Sequence, residues 1–378
     1  MREYLFVLLV ALAVTYLSVP VMRTLAVRVG AFTPVRERDV HTVPIPRLGG
    51  VAMLLGYAAA TLVAAQLPFL EQVFDTSELL GVLAGATIVC LLGAVDDVRD
   101  LDPLTKLSGQ LVAAAIMAFA GVQLFSLPIG VLTVLPAPIL VLITVLVVLL
   151  CINAVNFMDG LDGLAGGLVA IASGAFFAYS YLISSGYDPP NVFSSASFIA
   201  AALLGCCLGF LPHNVFPARL FMGDSGSMLL GLLLAAATIS TTGSVNPTDV
   251  SANSVAATVL PLLIPVSIIL LPVLDVVWAV LRRLLRGQNP WQADSQHLHH
   301  RMLKIGHGHR RAVLLLWLWA GVVALGAVSF VFVPGVLALV VVVLMLALAA
   351  ALTTWLPRYS APGHRPKVFD DHGQRLDA

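Results

Sequence analysis

The stretch CINAVNFMDGLDGLAGG, residues 151–167, ends a long apolar run, yet it carries Asn153, Asn156, Asp159 and Asp162 and no basic residue. Carboxamides beside carboxylates suit two tasks. They recognise base edges and ribose hydroxyls, and they offer oxygen ligands to a divalent cation. The four residues step by three, which in a continuous helix makes a slanting stripe. Gly160 and Gly163 permit a tight turn and close approach of backbone to a ligand. Helix capping is the ordinary alternative, but a cap needs only one such residue.

Three further clusters carry chemistry. AVDDVRD places Asp96 and Asp97 side by side, with Asp100 and Asp102 just beyond. Adjacent carboxylates repel unless a cation or proton lies between them, so the pair invites a metal or a general-base role. A solvated helix end is the bland reading, though carboxylates oppose the dipole there. In PHNVFPARLFMGDSGS, Asp224 stands between glycines beside Ser225 and Ser227, either as a helix N-cap or as a metal ligand where phosphate is also welcome. In QHLHHRMLKIGHGHRR, His297, His299 and His300 precede Arg301 and Lys304. No Cys or acid stands at ligand spacing there and HExxH is absent, so these are donors for a sugar diphosphate rather than zinc ligands. A basic stripe holding anionic lipid is the alternative. Lys106 follows the first acidic pair and Arg47 lies in PRLGG; each suits a phosphate or serves as a topology determinant. Asp275 lies within an apolar run, and pairing with Arg282 or Arg283 is its ordinary reading.

The elements that must position these groups are hydrophobic. The chain is 59% apolar and 11% charged, against roughly 25% charged in soluble domains. Runs approach the ~20 apolar residues that a helix needs to cross a bilayer, and the alternation of a membrane β-barrel is absent. The predicted architecture is all-α, a polytopic membrane protein of about eleven spans. They run roughly 4–22, 49–67, 79–95, 107–123, 131–152, 164–182, 194–211, 227–243, 256–281, 313–331 and 335–356. The first reads as a retained span rather than a cleaved signal. Residues 1–356 form one membrane catalytic domain, and 357–378 a flexible polar tail. Cys90, Cys151, Cys206 and Cys207 all fall in apolar spans and read as small core residues.

Every Lys and Arg except Arg2 falls on one side of this topology, while the opposite loops hold only acids such as Glu71, Glu78 and Asp188. The positive-inside rule makes the basic side cytoplasmic, with the N-terminus outside and the C-terminus inside. All four clusters share that face, as a site for a soluble phosphorylated donor, a divalent cation and a bilayer-held acceptor.

The ordered set DDVRD, NAVNFMDGLDGLAGG, FMGDSGS and HLHHR resembles the polyprenyl-phosphate N-acetylhexosamine-1-phosphate transferases, glycosyltransferase family 4, over roughly residues 30–310. PRLGG and the interrupted histidine run look more like the branch that uses UDP-N-acetylglucosamine. The resemblance implies transfer of N-acetylglucosamine-1-phosphate from UDP-N-acetylglucosamine to an undecaprenyl or decaprenyl phosphate. UMP is released, and the product is the lipid-linked sugar that starts a cell-envelope polymer. It implies Asp96 and Asp97 as the catalytic pair, and Asp224 with Asn156 at a Mg²⁺, Mn²⁺ being the alternative ion. It further implies Asn153, Asp159, Asp162, His297, His299, His300 and Arg301 on the donor, and Lys106 and Arg47 on phosphate. A plasma-membrane enzyme with its site on the cytoplasmic face is expected, with no nucleic-acid partner and a homodimer left open. The competing readings are the muramoyl-pentapeptide transferase branch and, in another class, a nucleotide-sugar or lipid transporter. No inverted repeat supports the transporter.

Overall fold

The computed structural model describes residues 1–32, 44–74, 76–124, 127–129, 131–133, 135–185, 194–244, 284–285, 309–333 and 335–355. Its principal helices are α1 (Arg2–Val29), α2 (Gly49–Ala64), α3 (Glu78–Arg99), α4 (Pro103–Phe119), α5 (Ala137–Met158), α6 (Leu164–Ser185), α7 (Ser195–Asn214), α8 (Gly223–Ser244), α9 (His309–Phe332) and α10 (Gly335–Trp355). Eight of these are long and apolar enough to cross a membrane, while α2 and α4 are shorter. The chain is a multi-pass membrane protein of helical class. Ten of the expected spans coincide with helices; the expected span 256–281 and the tail lie outside the described residues.

One span is displaced. The expected helix from 131 begins instead at Ala137, and Leu127–Ile129 pairs antiparallel with Val131–Thr133. Pro136 and Pro138 explain the late start: proline is at home at a helix N-terminus and breaks a helix interior. The β-branched residues before them adopt the extended form.

Helix α8 is the centre of the bundle, packed against α2, α3, α5, α6 and α7. Leu229, Leu230, Leu232 and Leu233 point to different sides of it and all are fully buried, as expected of a helix apolar all round. Helix α1 lies outside, against α7 and α2. Gly205 and Gly209 form a small-xxx-small seam: a Cβ would stand 2.3 Å from the Leu8 carbonyl oxygen and 2.4 Å from that of Leu12. Such seams let backbones touch where lipid offers no hydrophobic drive. Helix α10 packs chiefly on α9 and is mostly exposed.

The connection between α3 and α4 is short and closed by local chemistry. Asp100 ends α3 in the left-handed region at φ 46°. Asp102 then caps α4, accepting from the Leu104 and Thr105 amides at 3.0 Å each, with Pro103 in the first turn. The helix does not continue through Asp100, so Asp100 does not extend the face that carries Asp96. The turn instead brings the end of α3 beside Lys106 on α4.

Candidate active site

The C-terminal ends of α3, α5 and α7 and the N-terminal ends of α4, α6 and α8 meet at one end of the bundle, and the polar clusters meet with them. Close backbone approach makes this possible. The amides of Gly49 and Gly50 donate to the carbonyls of Phe221 and Met222, both at 3.0 Å, and the Phe221 amide donates to the Pro46 carbonyl at 2.9 Å. A Cβ on Gly50 would stand 2.1 Å from the Gly226 nitrogen, and one on Gly93 2.4 Å from the Ser225 nitrogen. PRLGG is thus laid along FMGDSGS, with α3 against its other side.

Asp97 is the keystone. Its carboxylate accepts from the Asp224 amide at 2.9 Å, the Ser225 amide at 3.2 Å and the Ser225 hydroxyl at 2.9 Å. The first amides of a helix have no intrahelical partner, and a negative charge there is favoured by the dipole. Asp97 therefore caps α8 from another helix. Gly223, at φ +69°, is required between them, because its Cβ would stand 2.2 Å from Asp97 Oδ2. Arg47 Nη1 lies 3.9 Å from Asp97 Oδ1.

Lys106 holds the mouth of the site. Its Nζ lies 2.5 Å from Asp96 Oδ2 and 2.7 Å from Asp224 Oδ2. Asp96 also accepts from the Leu101 amide at 2.7 Å, which anchors it to the α3–α4 turn. Exposure separates the roles. The side chains of Asp97 and Asp96 are 0% and 5% exposed, those of Asp224 and Lys106 25% and 28%. A substrate arriving from outside meets Asp224 and Lys106 first.

The 153–162 stretch is not one continuous stripe. Helix α5 ends at Met158, so only Asn153 and Asn156 are helical, and the backbone turn sends the four side chains to different partners. Asn156 donates to the Ser227 hydroxyl at 2.8 Å and faces Asp224. Asp159 caps α5 beside Asp224 and Asp97. Burial and these neighbouring carboxylates push its carboxyl up to about 7, partly offset by Arg47. Asn153 turns to α4, donating to Gln110 Oε1 at 2.9 Å. Asp162 accepts from the Ala218 amide at 2.9 Å, and its own amide donates to His309 Nε2 at 3.2 Å. Asp162 thus ties the turn after α5 to the loop before α8 and to the start of α9.

His297, His299, His300 and Arg301, like Asp275, lie outside the described residues. The chain returns to the site at His309, whose ring stacks on Phe216 at 4.6 Å, while Arg310 Nε donates to the Phe216 carbonyl at 3.0 Å. The sequence reading missed Ser225 as a ligand of Asp97, Gln110, His309 and the glycine contacts. The glycines of PRLGG and FMGDSGS were the signal that could have found the close approach.

Asp96, Asp97, Asp159 and Asp224 stand against Lys106 and Arg47, an excess of negative charge that suits a cation. Among the described residues no three His, Cys, Asp or Glu side chains form a metal cluster. Asp224 and Asn156 offer a carboxylate and a carboxamide at the open mouth. One or two carboxylates completed by substrate phosphate and water are the usual arrangement for Mg²⁺, and the donors present fit that ion.

The chain has known relatives. The profile of glycosyl transferase family 4 matches residues 79–242. The chain is 43% identical, over 90% of its length and 85% of the relative's, to the decaprenyl-phosphate N-acetylglucosaminephosphotransferase of Mycolicibacterium smegmatis. It is 29% identical to the probable undecaprenyl-phosphate N-acetylglucosaminyl 1-phosphate transferase of Bacillus subtilis, over 85% of this chain and 83% of that one. It is 33% identical to the phospho-N-acetylmuramoyl-pentapeptide-transferase of Desulforudis audaxviator, over 82% of this chain and 92% of that one. With α3 through α8 inside the matched segment but for their outermost residues, the aspartate cluster at their ends, and a 43% identical relative over 90% of the chain, the protein belongs to glycosyl transferase family 4.

Proposed function

We propose that the protein transfers N-acetylglucosamine-1-phosphate from UDP-N-acetylglucosamine to a polyprenyl phosphate, decaprenyl or undecaprenyl, on the cytoplasmic face of the plasma membrane. The observation that carries this reading is Lys106 bridging Asp96 and Asp224 at the end of an apolar bundle, a place that a lipid phosphate and a soluble nucleotide can both reach. The M. smegmatis relative at 43% identity supports the acceptor and the sugar, and the basic bias of the loops on this side supports the face.

Both reactants are anions, so repulsion is the first obstacle. Lys106 and Arg47 hold phosphate oxygens and lower that repulsion. Asp224 and Asn156 would hold Mg²⁺, which would offset charge on the donor diphosphate and on departing UMP. Asp97 and Asp96 set the geometry: the first fixes the N-terminus of α8 and so Asp224, the second fixes Lys106. An acceptor phosphate oxygen attacks the donor's β-phosphorus in line. The bond to the UMP oxygen breaks, and UMP leaves with its electron pair. The acceptor phosphate, with a second pKa near ~6, is already ionised, so little proton removal is needed. Asp97 as base or nucleophile would first have to release Ser225 and the α8 amides. Asp159, with His297, His299, His300 and Arg301, is assigned to the donor; His309 returns that loop's end to the site.

The test is UMP release by the purified protein in detergent with Mg²⁺ and polyprenyl phosphate. UDP-N-acetylglucosamine and UDP-N-acetylmuramoyl-pentapeptide are supplied in parallel. Release with the first alone is expected. Release with the second alone would move the protein to the other branch, to which its 33% identical relative belongs. Release with neither, in folded protein, would refute the proposed donor.

A further inference from the structure

A second group of charges lies at the same end of the bundle, and the transfer chemistry does not use it. Helix α1 has 28 residues, about 42 Å at 1.5 Å per residue, and so outruns a ~30 Å hydrocarbon core. Its last turns and the end of α7 enclose a cavity of about 590 Å³, whose lining includes Pro20, Val27, Arg23, Arg28, His213 and Arg219. Small-molecule sites occupy roughly 300–1,000 Å³. Among the described residues no acid lines this one and no carboxylate pairs with any of the three arginines. Their mutual repulsion is relieved by an anion.

A second observation also points to a ligand. His213 Nε2 is buried and has no hydrogen-bond partner among the described residues, while its ring lies 4.8 Å from that of Tyr16. Buried polar atoms in folded proteins are nearly always satisfied; His213 lines the cavity, and a small turn of its ring would present this nitrogen to an anion's oxygen. On the same side of α1, toward its N-terminus, the apolar surface continues as Leu9, Tyr16 and Leu17, which are 50%, 45% and 70% exposed. An anion bearing acyl chains fits both halves; free phosphate fits only one.

We propose that this cavity binds the headgroup phosphate of an anionic phospholipid whose acyl chains lie along α1. Basic pockets between helices at the membrane surface attract such headgroups. The lipid also braces the loop that delivers Asp224. The Arg219 amide donates to the His213 carbonyl at 2.9 Å, and the neighbouring Ala218 amide is held by Asp162.

The experiment uses the full chain in nanodiscs of phosphatidylcholine, with and without phosphatidylglycerol. Native mass spectrometry reads the retained lipid, for the wild type and for Arg219→Lys, Arg219→Gln and Arg23→Gln. Retention of phosphatidylglycerol in preference to phosphatidylcholine is expected. It should be kept by Arg219→Lys and weakened about fivefold by either glutamine variant. Inorganic phosphate should not displace it. Equal retention by wild type and both glutamine variants, equal retention of phosphatidylcholine, or displacement by phosphate would overturn the proposal. Lipid retention is read without turnover, so it stands or falls separately from the proposed transfer. The Arg23 variant supplies the answer if Arg219→Gln fails to fold.

Discussion

Replacing Asp97 by Asn keeps the shape of the side chain and removes its charge. In the wild type this carboxylate accepts three hydrogen bonds, from two α8 amides and the Ser225 hydroxyl. Asn can offer one oxygen to these donors and turns an NH₂ group toward the rest. Hydrogen bonds to a charged group contribute about 1.5–3 kcal/mol each. With its oxygen in the place of Oδ2, Asn keeps both Ser225 donors and loses the Asp224 amide bond, a cost of about 1.5–3 kcal/mol that relaxation of the loop lowers. The cost falls on the N-terminus of α8 and hence on Asp224. The assay pairs UMP release with thermal unfolding in detergent. Asp97→Asn should lose most of its activity and several degrees of Tm together. Asp224→Asn, with its side chain at the open mouth, should lose activity with little change in Tm. Asp97→Asn that is inactive yet as stable as the wild type would refute the capping argument and place Asp97 on the substrate. Near-normal turnover in both variants would remove the aspartate cluster from the mechanism.

Gly223→Ala should abolish activity, because a Cβ at φ +69° meets Asp97 Oδ2 at 2.2 Å; Gly30→Ala, at φ +77° with nothing within 4 Å, should cost only backbone strain, about 1–2 kcal/mol. Comparable activity in the two variants would contradict this. Lys106→Gln leaves Asp96 and Asp224 facing each other uncompensated, so kcat/KM should fall at least about a hundredfold while divalent-ion binding tightens; calorimetry with Mg²⁺ and steady-state kinetics check both. Asp159 has its carboxyl raised to about 7 from an ordinary 3.8. The folded state therefore holds this proton more tightly than the unfolded chain, and its contribution to stability is present below the ordinary value and lost as pH rises through about 7. Without divalent ions, Tm should decline between mildly acidic and neutral pH, and Asp159→Asn should flatten that decline; an unchanged slope would rule the assignment out.

Much of the helical frame was legible because apolar length is a local property that a bilayer tests directly. The displaced α5 shows the limit: hydropathy alone extended the span back to 131, whereas the prolines at 136 and 138 start the helix later. The clusters were legible because a polar residue at the end of an apolar run is conspicuous. Their partners were not. Asn153 and Asn156 are the same residue type three positions apart, yet one bonds Gln110 on α4 and the other Ser227 on α8. Asp162 looks like Asp159 in sequence, but it binds backbone at Ala218 while Asp159 faces the other carboxylates.

The sequence by itself determined the class, most of the helical spans and the family, since composition, run length and ordered motifs are readable along one chain. Tertiary structure decided what each polar group touches. Helices α8 and α10 both read as apolar spans, yet α8 lies at the centre and α10 mostly faces outward. A bilayer makes either surface acceptable, so hydrophobicity cannot choose between them; close packing and the need to satisfy buried polar groups can. That same need set Asp97 beneath the first amides of α8, more than a hundred residues along the chain. Its partner was fixed by where two helix ends meet in space.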